Sequence, residues 1–248
     1  MTRNRYAQIG LDRIIKLDWL EKTAKLILAG NSKADIKSSL QQDLHGNFNS
    51  PASVKRGSLN KTITILMKVW SNGHKELEPL QEQGLELLKK YPDEHHLVIH
   101  WGMIMASYPF WSAVAIQTGR LFRLQENIVT ANIQRRIREQ YGDRQTVSKA
   151  TQRVLRSFVD WNVLKETTEL GLYCKGNTIQ INDPSLIAWL VEATLHTKPN
   201  GSSTFKDLIN SPSLFPFKLY PIRAEHIVAV SPRLEIIHHG FDDDLLSL

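Results

Sequence analysis

Lys149, Gln152, Arg153 and Arg156 fall at i, i+3, i+4 and i+7. On a helix that spacing puts all four on one face. Arginine and glutamine can each make paired hydrogen bonds to a base edge, and lysine and arginine neutralise phosphates. The chemistry such a face suggests is recognition of nucleic acid rather than bond cleavage. Ser148 stands just ahead as a suitable N-cap. Ser148, Lys149, Gln152 and Arg153 are then the base-proximal group and Arg156 a phosphate contact. Arg135, Arg136 and Arg138 lie upstream and Lys175 downstream, placed to clamp phosphates and set register. A polar helix face is more often simply solvated, and a helix of this kind can also dock a protein.

Other residue types invite different chemistry. His96 and His100 stand at i, i+4 with His95 alongside, and His238-His239 precede Asp242, Asp243 and Asp244. Two histidines and a carboxylate can bind a divalent metal that hydrolyses phosphodiesters. No HExxH motif is present, and the two clusters lie far apart in sequence. They read as chance spacing among nine histidines, with His100 in the core. No metal and no cofactor is expected. Cys174 has no paired His or Asn motif and reads as structural. Neither GxGxxG nor GxxxxGK[ST] occurs. No catalytic constellation emerges, so an enzyme is not expected; a metal-dependent nuclease is the weakest of the readings.

The elements around the basic face follow from periodicity. Val147, Val154, Leu155, Phe158, Val159 and Trp161 form an apolar stripe opposite the four polar residues. Upstream, Thr130 to Tyr141 reads as a helix with Thr130 as cap and Gly142 just past its end. Downstream, GLYC-KGN-TIQIN reads as two short strands around a Lys175-Gly176-Asn177 turn, which puts Lys175 at a hairpin tip. Helix, turn, helix, hairpin is the order of a winged helix-turn-helix, whose second helix lies in the major groove.

The first half reads as helical throughout. Expected helices run from Leu11 to Leu28, from the Ser32 cap to about His45, from about Ser53 to Trp70, and from Glu76 to Lys90. Leu97 to Ile116 is long and apolar enough to raise a membrane span. Pro109 in its middle, together with His100, Trp101, Ser107 and Ser112, favours two buried helices instead, about Glu94–Ser107 and Pro109–Phe122. Past the hairpin, Asp183 caps a helix that has Pro184 at its first position. Lys198 to Ser203 reads as a linker. Thr204–Ile209 reads as a short helix, and Ile227–Val230 and Leu234–Ile237 as two strands. The expected fold is therefore mainly α: a helical bundle over 1–125, a winged helix-turn-helix with a small β-hairpin wing over 126–197, and a short mixed extension over 198–248.

Charge agrees with the basic face. Residues 120–165 hold ten basic and four acidic side chains, an excess equal to the net +6 of the whole chain. A single cysteine leaves no internal disulfide and fits a reducing compartment, and Met1 to Lys16 has no continuous apolar run like that of a signal peptide. The expected location is cytoplasmic.

The chain resembles the BrxA-like family, small accessory proteins of bacteriophage-exclusion (BREX) defence systems. The residues that carry the likeness are ILAGNSKADIKSSL with the following SPASVKRGSLNKTITIL, the central YPDEHHLVIHWGMIMASYPFWSAV, and SKATQRVLRSFVDWNVL. Together they span about Ile14 to Leu195, and none is a catalytic signature. The resemblance implies a largely helical, non-enzymatic cytoplasmic protein that binds double-stranded DNA within a defence complex. No membrane partner is expected, because Leu97 to Ile116 reads as two buried helices. The segment after Lys198 departs from the family pattern. The alternative expectation is a protein-interaction scaffold whose helix-turn-helix docks a partner.

Overall fold

The computed structural model describes residues 5–48, 52–239 and 243–248. Most of the chain is helical, and small β-sheets lie along its second half. The first six helices are α1 (Leu17–Leu28), α2 (Lys33–Leu44), α3 (Ala52–Trp70), α4 (Glu78–Lys90), α5 (His96–Ser107) and α6 (Pro109–Phe122). Then come β1 (Asn127–Val129), α7 (Thr130–Tyr141), α8 (Gln145–Asp160), β2 (Leu164–Glu166), β3 (Leu172–Lys175), β4 (Ile179–Ile181) and α9 (Pro184–Leu195). The remainder is β5 (Ser202–Thr204), α10 (Phe205–Ile209), β6 (Phe217–Leu219), α11 (Ala224–Val230), β7 (Glu235–His239) and β8 (Asp243–Ser247).

The apolar stretch from Leu97 to Ile116 is two helices that meet at Tyr108-Pro109, with Pro109 at the first position of α6, where its missing N–H costs nothing. Every residue of α5 but Leu97 is buried. This helix is the axle of the molecule. Its Trp101 meets Trp111 of α6, Phe158 of α8, Trp161, Phe215 and Phe217, with ring centroids 4.9–5.9 Å apart. Aromatic pairs at these separations add to the area they bury. One continuous core thereby joins the N-terminal helices, α8 and the C-terminal segment. Among the described residues no helix is long and apolar enough to cross a membrane.

Leu11 to Lys16 is irregular, with a bend at Arg13, rather than the opening of α1, although Leu11 and Ile15 are fully buried as their periodicity requires. The reason is that α8 claims the backbone of this stretch. Ser157 accepts from the Ile15 N–H at 2.8 Å, Trp161 donates its indole N–H to the Ile15 carbonyl at 2.9 Å, and Asp160 accepts from the Leu17 N–H at 3.2 Å. Groups bonded in this way cannot enter a helical ladder.

The sheets correct the expected hairpin. β3 pairs antiparallel with both β1 and β2, giving the order β1-β3-β2, while β4 leaves to pair in parallel with β6. The chain cannot turn back at Lys175-Gly176-Asn177 because that backbone lies against residues 162 and 163. Gly176 N–H donates to the Val163 carbonyl, Asn177 N–H donates to the Asn162 carbonyl, and a Cβ on Gly176 would collide with Asn162. The hairpin is instead β2–β3, with its tip at residues 167–171.

Asp183 caps α9 as expected, accepting from the N–H groups of Ser185 and Leu186. Thr204 likewise caps α10. Ile227 to Val230 is helical, not a strand: Ala224 and Ile227, three apart, are the buried residues of α11 and pack toward α9. A short β-branched run does not by itself distinguish the two states. The strand β7, expected at Leu234–Ile237, pairs with β8, so the tail after Asp242 closes a three-stranded sheet of order β5-β8-β7.

Candidate nucleic-acid interface

α7 and α8 cross with a link of only Gly142 to Arg144 between them. Ile133 and Ile137 of α7 and Val147, Ala150, Val154, Leu155 and Phe158 of α8 are at most 1% exposed, so both helices keep their apolar stripes inward. Gln134 donates to the Ser148 carbonyl at 3.2 Å and holds the crossing. Two caps differ from expectation. α8 begins at Gln145 with Arg144 at the cap position, so Ser148 lies inside the helix, half-buried. The Arg144 backbone is already extended and its carbonyl accepts from Val147 N–H, which starts the helix one turn early. Thr130 does not cap α7 either, because its hydroxyl and its N–H both go to the Gly171 carbonyl of the hairpin.

The outer face of α8 divides into residues that are free and residues that are engaged. Lys149 and Gln152 are exposed and have no ion pair or hydrogen bond among the described residues. Arg156 is exposed but pairs with Glu166 of β2. Arg153 is half-buried, and its guanidinium donates to the Asp12 carbonyl, on the irregular stretch that α8 holds. On α7, Arg135 is exposed and Arg136 half-buried, both without a charge partner among the described residues, whereas Arg138 lies 3.3 Å from Asp143.

Lys175 is not at the hairpin tip. It ends β3 at the far side of the sheet from residues 167–171, with its ammonium 5.5 Å from the centre of the Phe122 ring. The tip carries Glu169 and a fully exposed Leu170 instead.

Two cations that local spacing did not single out join the face. A cavity of about 440 Å³ is lined by Asp12, Arg13, Lys61, Thr146, Lys149 and Arg153, among others. Its one carboxylate, Asp12, lies 2.9 Å from Arg13 and 4.0 Å from Lys61. Four cations face one anion, an arrangement that attracts a further negative group. The available hint in the sequence was the buried period of Leu11 and Ile15, which says that this stretch packs but not against what.

The histidines fall elsewhere. His96 and His100 converge on Glu21 of α1, at 3.0 and 2.8 Å. Burial pushes the Glu21 carboxyl up, but hydrogen bonds from His100 and Lys25 outweigh it and hold the group at about 2. His238 and His239 stand across β7–β8 from Asp244 and Asp243 in register, while Asp242 lies outside the described residues. Cys174 is a free, half-buried thiol on β3.

Comparison with protein-family models, with curated proteins and with solved structures found no match to this chain.

Proposed function

We propose that this chain binds double-stranded DNA without chemistry of its own, through a winged helix-turn-helix formed by α7, α8 and the β2–β3 hairpin. The succession β1, α7, α8, β2, β3 and the strand order β1-β3-β2 support that reading of the motif. In it, α8 enters the major groove with Lys149 and Gln152 toward base edges, while Arg135 and Arg136 of α7 meet phosphates. The observation that carries the proposal is the convergence of Lys149 and Arg153 of α8 with Arg13 and Lys61, three separate segments, around one cavity. Following the resemblance to the BrxA-like family, the role is that of an accessory protein in bacteriophage defence.

The test is duplex binding across a salt series. Log affinity is expected to fall linearly with log salt, with a slope of about −0.9 per phosphate neutralised. Arg135→Ala and Arg136→Ala should each flatten that slope by about 1, one phosphate contact apiece. Absence of duplex binding at low salt overturns the proposal.

A second reading, a protein-docking scaffold, draws on the wing tip. Exposed Leu170 beside Glu169 suits a protein surface better than a phosphate backbone. Stable co-purification of a partner that Leu170→Asp abolishes, with no duplex binding, would favour it.

A further inference from the structure

Two segments that are distant in sequence, α1 and the α4–α5 junction, meet at one end of α5. Glu21 comes from α1, Asp93 from the turn after α4, and His96 from the first position of α5. Their ligating atoms all lie within 4.8 Å of one another.

The neighbouring hydrogen bonds fix which ring nitrogen carries a proton. His100 comes first. Its Nδ1 lies 3.2 Å from the Trp70 indole N–H, which can only donate, so Nδ1 accepts. The proton of the neutral ring is then on Nε2, and it goes to Glu21 Oε2 at 2.8 Å. In His96 the arrangement is reversed. Its Nε2 lies 2.9 Å from the Tyr91 carbonyl, which can only accept, so Nε2 carries the proton. In the neutral ring that leaves His96 Nδ1 as a lone pair, 3.0 Å from Glu21 Oε2 and 3.6 Å from Asp93 Oδ1. Three electron-pair donors face one another, and a neutral ring supplies no hydrogen between them. His96 is only 7% exposed, so water reaches the cluster from the Asp93 side alone.

We propose that a divalent transition metal of the zinc class binds here, held by His96 Nδ1, Glu21 Oε2 and Asp93 Oδ1. One imidazole and two carboxylates are an ordinary donor set for such an ion, with water filling the remaining positions. The outer hydrogen bonds suit it as well. A ligating histidine commonly donates its other N–H to a backbone carbonyl, as His96 does to Tyr91, and a ligating carboxylate is commonly hydrogen-bonded in turn, as Glu21 is by His100. Lys25 lies 3.0 Å from the other Glu21 oxygen and leaves Oε2 for the ion. Asp93 is 87% exposed, which places the open side of the site toward solvent. The ion ties α1 to the α4–α5 junction, a role separate from the basic face of α8.

The test uses the full-length protein stripped with chelator and titrated with cobalt(II), read by visible absorption, and with zinc, read by calorimetry and thermal melting. One equivalent is expected to bind, and zinc to raise the melting temperature. Asp93→Ala removes an exposed ligand without touching the core and should weaken binding at least tenfold. Glu21→Gln should do the same, and a matched circular dichroism spectrum shows whether that variant has folded. The proposal is overturned if the wild type takes up less than half an equivalent at tens of micromolar metal. It is also overturned if Asp93→Ala binds as tightly as wild type, which would place the ion away from this carboxylate.

Discussion

The Trp161 indole N–H donates to the carbonyl of Ile15 at 2.9 Å, across 146 residues of sequence. One turn back on α8, Ser157 accepts from the N–H of the same Ile15 at 2.8 Å. Both polar groups of a single buried residue are thereby satisfied by one helix, which ties the N-terminal stretch to the candidate interface and positions Arg13 beside Lys149. Ser157→Ala leaves the Ile15 N–H buried without an acceptor. That loss is expected to cost about 1–3 kcal/mol, the desolvation penalty of an orphaned group. Urea denaturation measures it, and a change under about 0.5 kcal/mol would mean that the stretch is not held this way.

Arg156 and Glu166 form an exposed ion pair at the foot of the hairpin. An exposed pair contributes little to stability, about 0–1 kcal/mol, but it keeps a cation of the basic face partly neutralised. Glu166→Gln is therefore expected to tighten duplex binding several-fold at low salt while leaving the melting temperature nearly unchanged. Arg156→Ala alone should weaken binding less than Lys149→Ala, since Lys149 has no carboxylate to leave. A filter-binding series at two salt concentrations checks both, and the reverse order would remove Arg156 and Lys149 from the positions proposed for them.

Helix faces were legible in the sequence because burial repeats every three to four residues. The stripe from Val147 to Phe158 and the two helices either side of Tyr108-Pro109 follow from apolar spacing alone. Strand partners were not legible, because a short strand reveals its own two faces and nothing about its neighbour. Gly176-Asn177 on its own predicts a hairpin tip at Lys175. The deciding fact, backbone contact between residues 176–177 and 162–163, is a tertiary one. The same limit hid Arg13 and Lys61. Each is an ordinary surface cation until the chain brings it to Lys149.

Gly119 of α6 packs against the turn at residues 212–214, and a Cβ there would collide with the backbone carbonyl of Pro212. A carbonyl cannot swing aside as the end of a side chain can. Gly119→Ala is expected to destabilise the fold by about 1–3 kcal/mol or more, the range for overpacking a tight contact. The damage should spread to the aromatic cluster around Trp101 through Phe215, which lies beside the same glycine. Tryptophan emission should shift along with the denaturation midpoint. An unchanged midpoint would show that α6 and the C-terminal segment are not packed this closely.

His196 follows α9 and is buried beside two guanidinium groups. Burial, with Arg5 and Arg233 adding repulsion, holds its ring down at about 4, against about 6.5 for a free histidine. Glu192 lies 3.9 Å away but is taken up by Arg233, which donates to both of its oxygens, so it offers His196 little relief. Between those two values the unfolded chain binds a proton that the folded chain refuses. Stability is therefore complete above about pH 6.5 and is lost as the pH falls toward 4, where the native ring takes up its own proton. The full difference is on the order of 3 kcal/mol, and residual solvent access reduces it. His196→Gln removes the titrating group, and it is expected to flatten the stability profile between pH 6.5 and 4 relative to wild type. Equilibrium denaturation at a series of pH values tests this, and parallel profiles for the two proteins would place the acid sensitivity elsewhere.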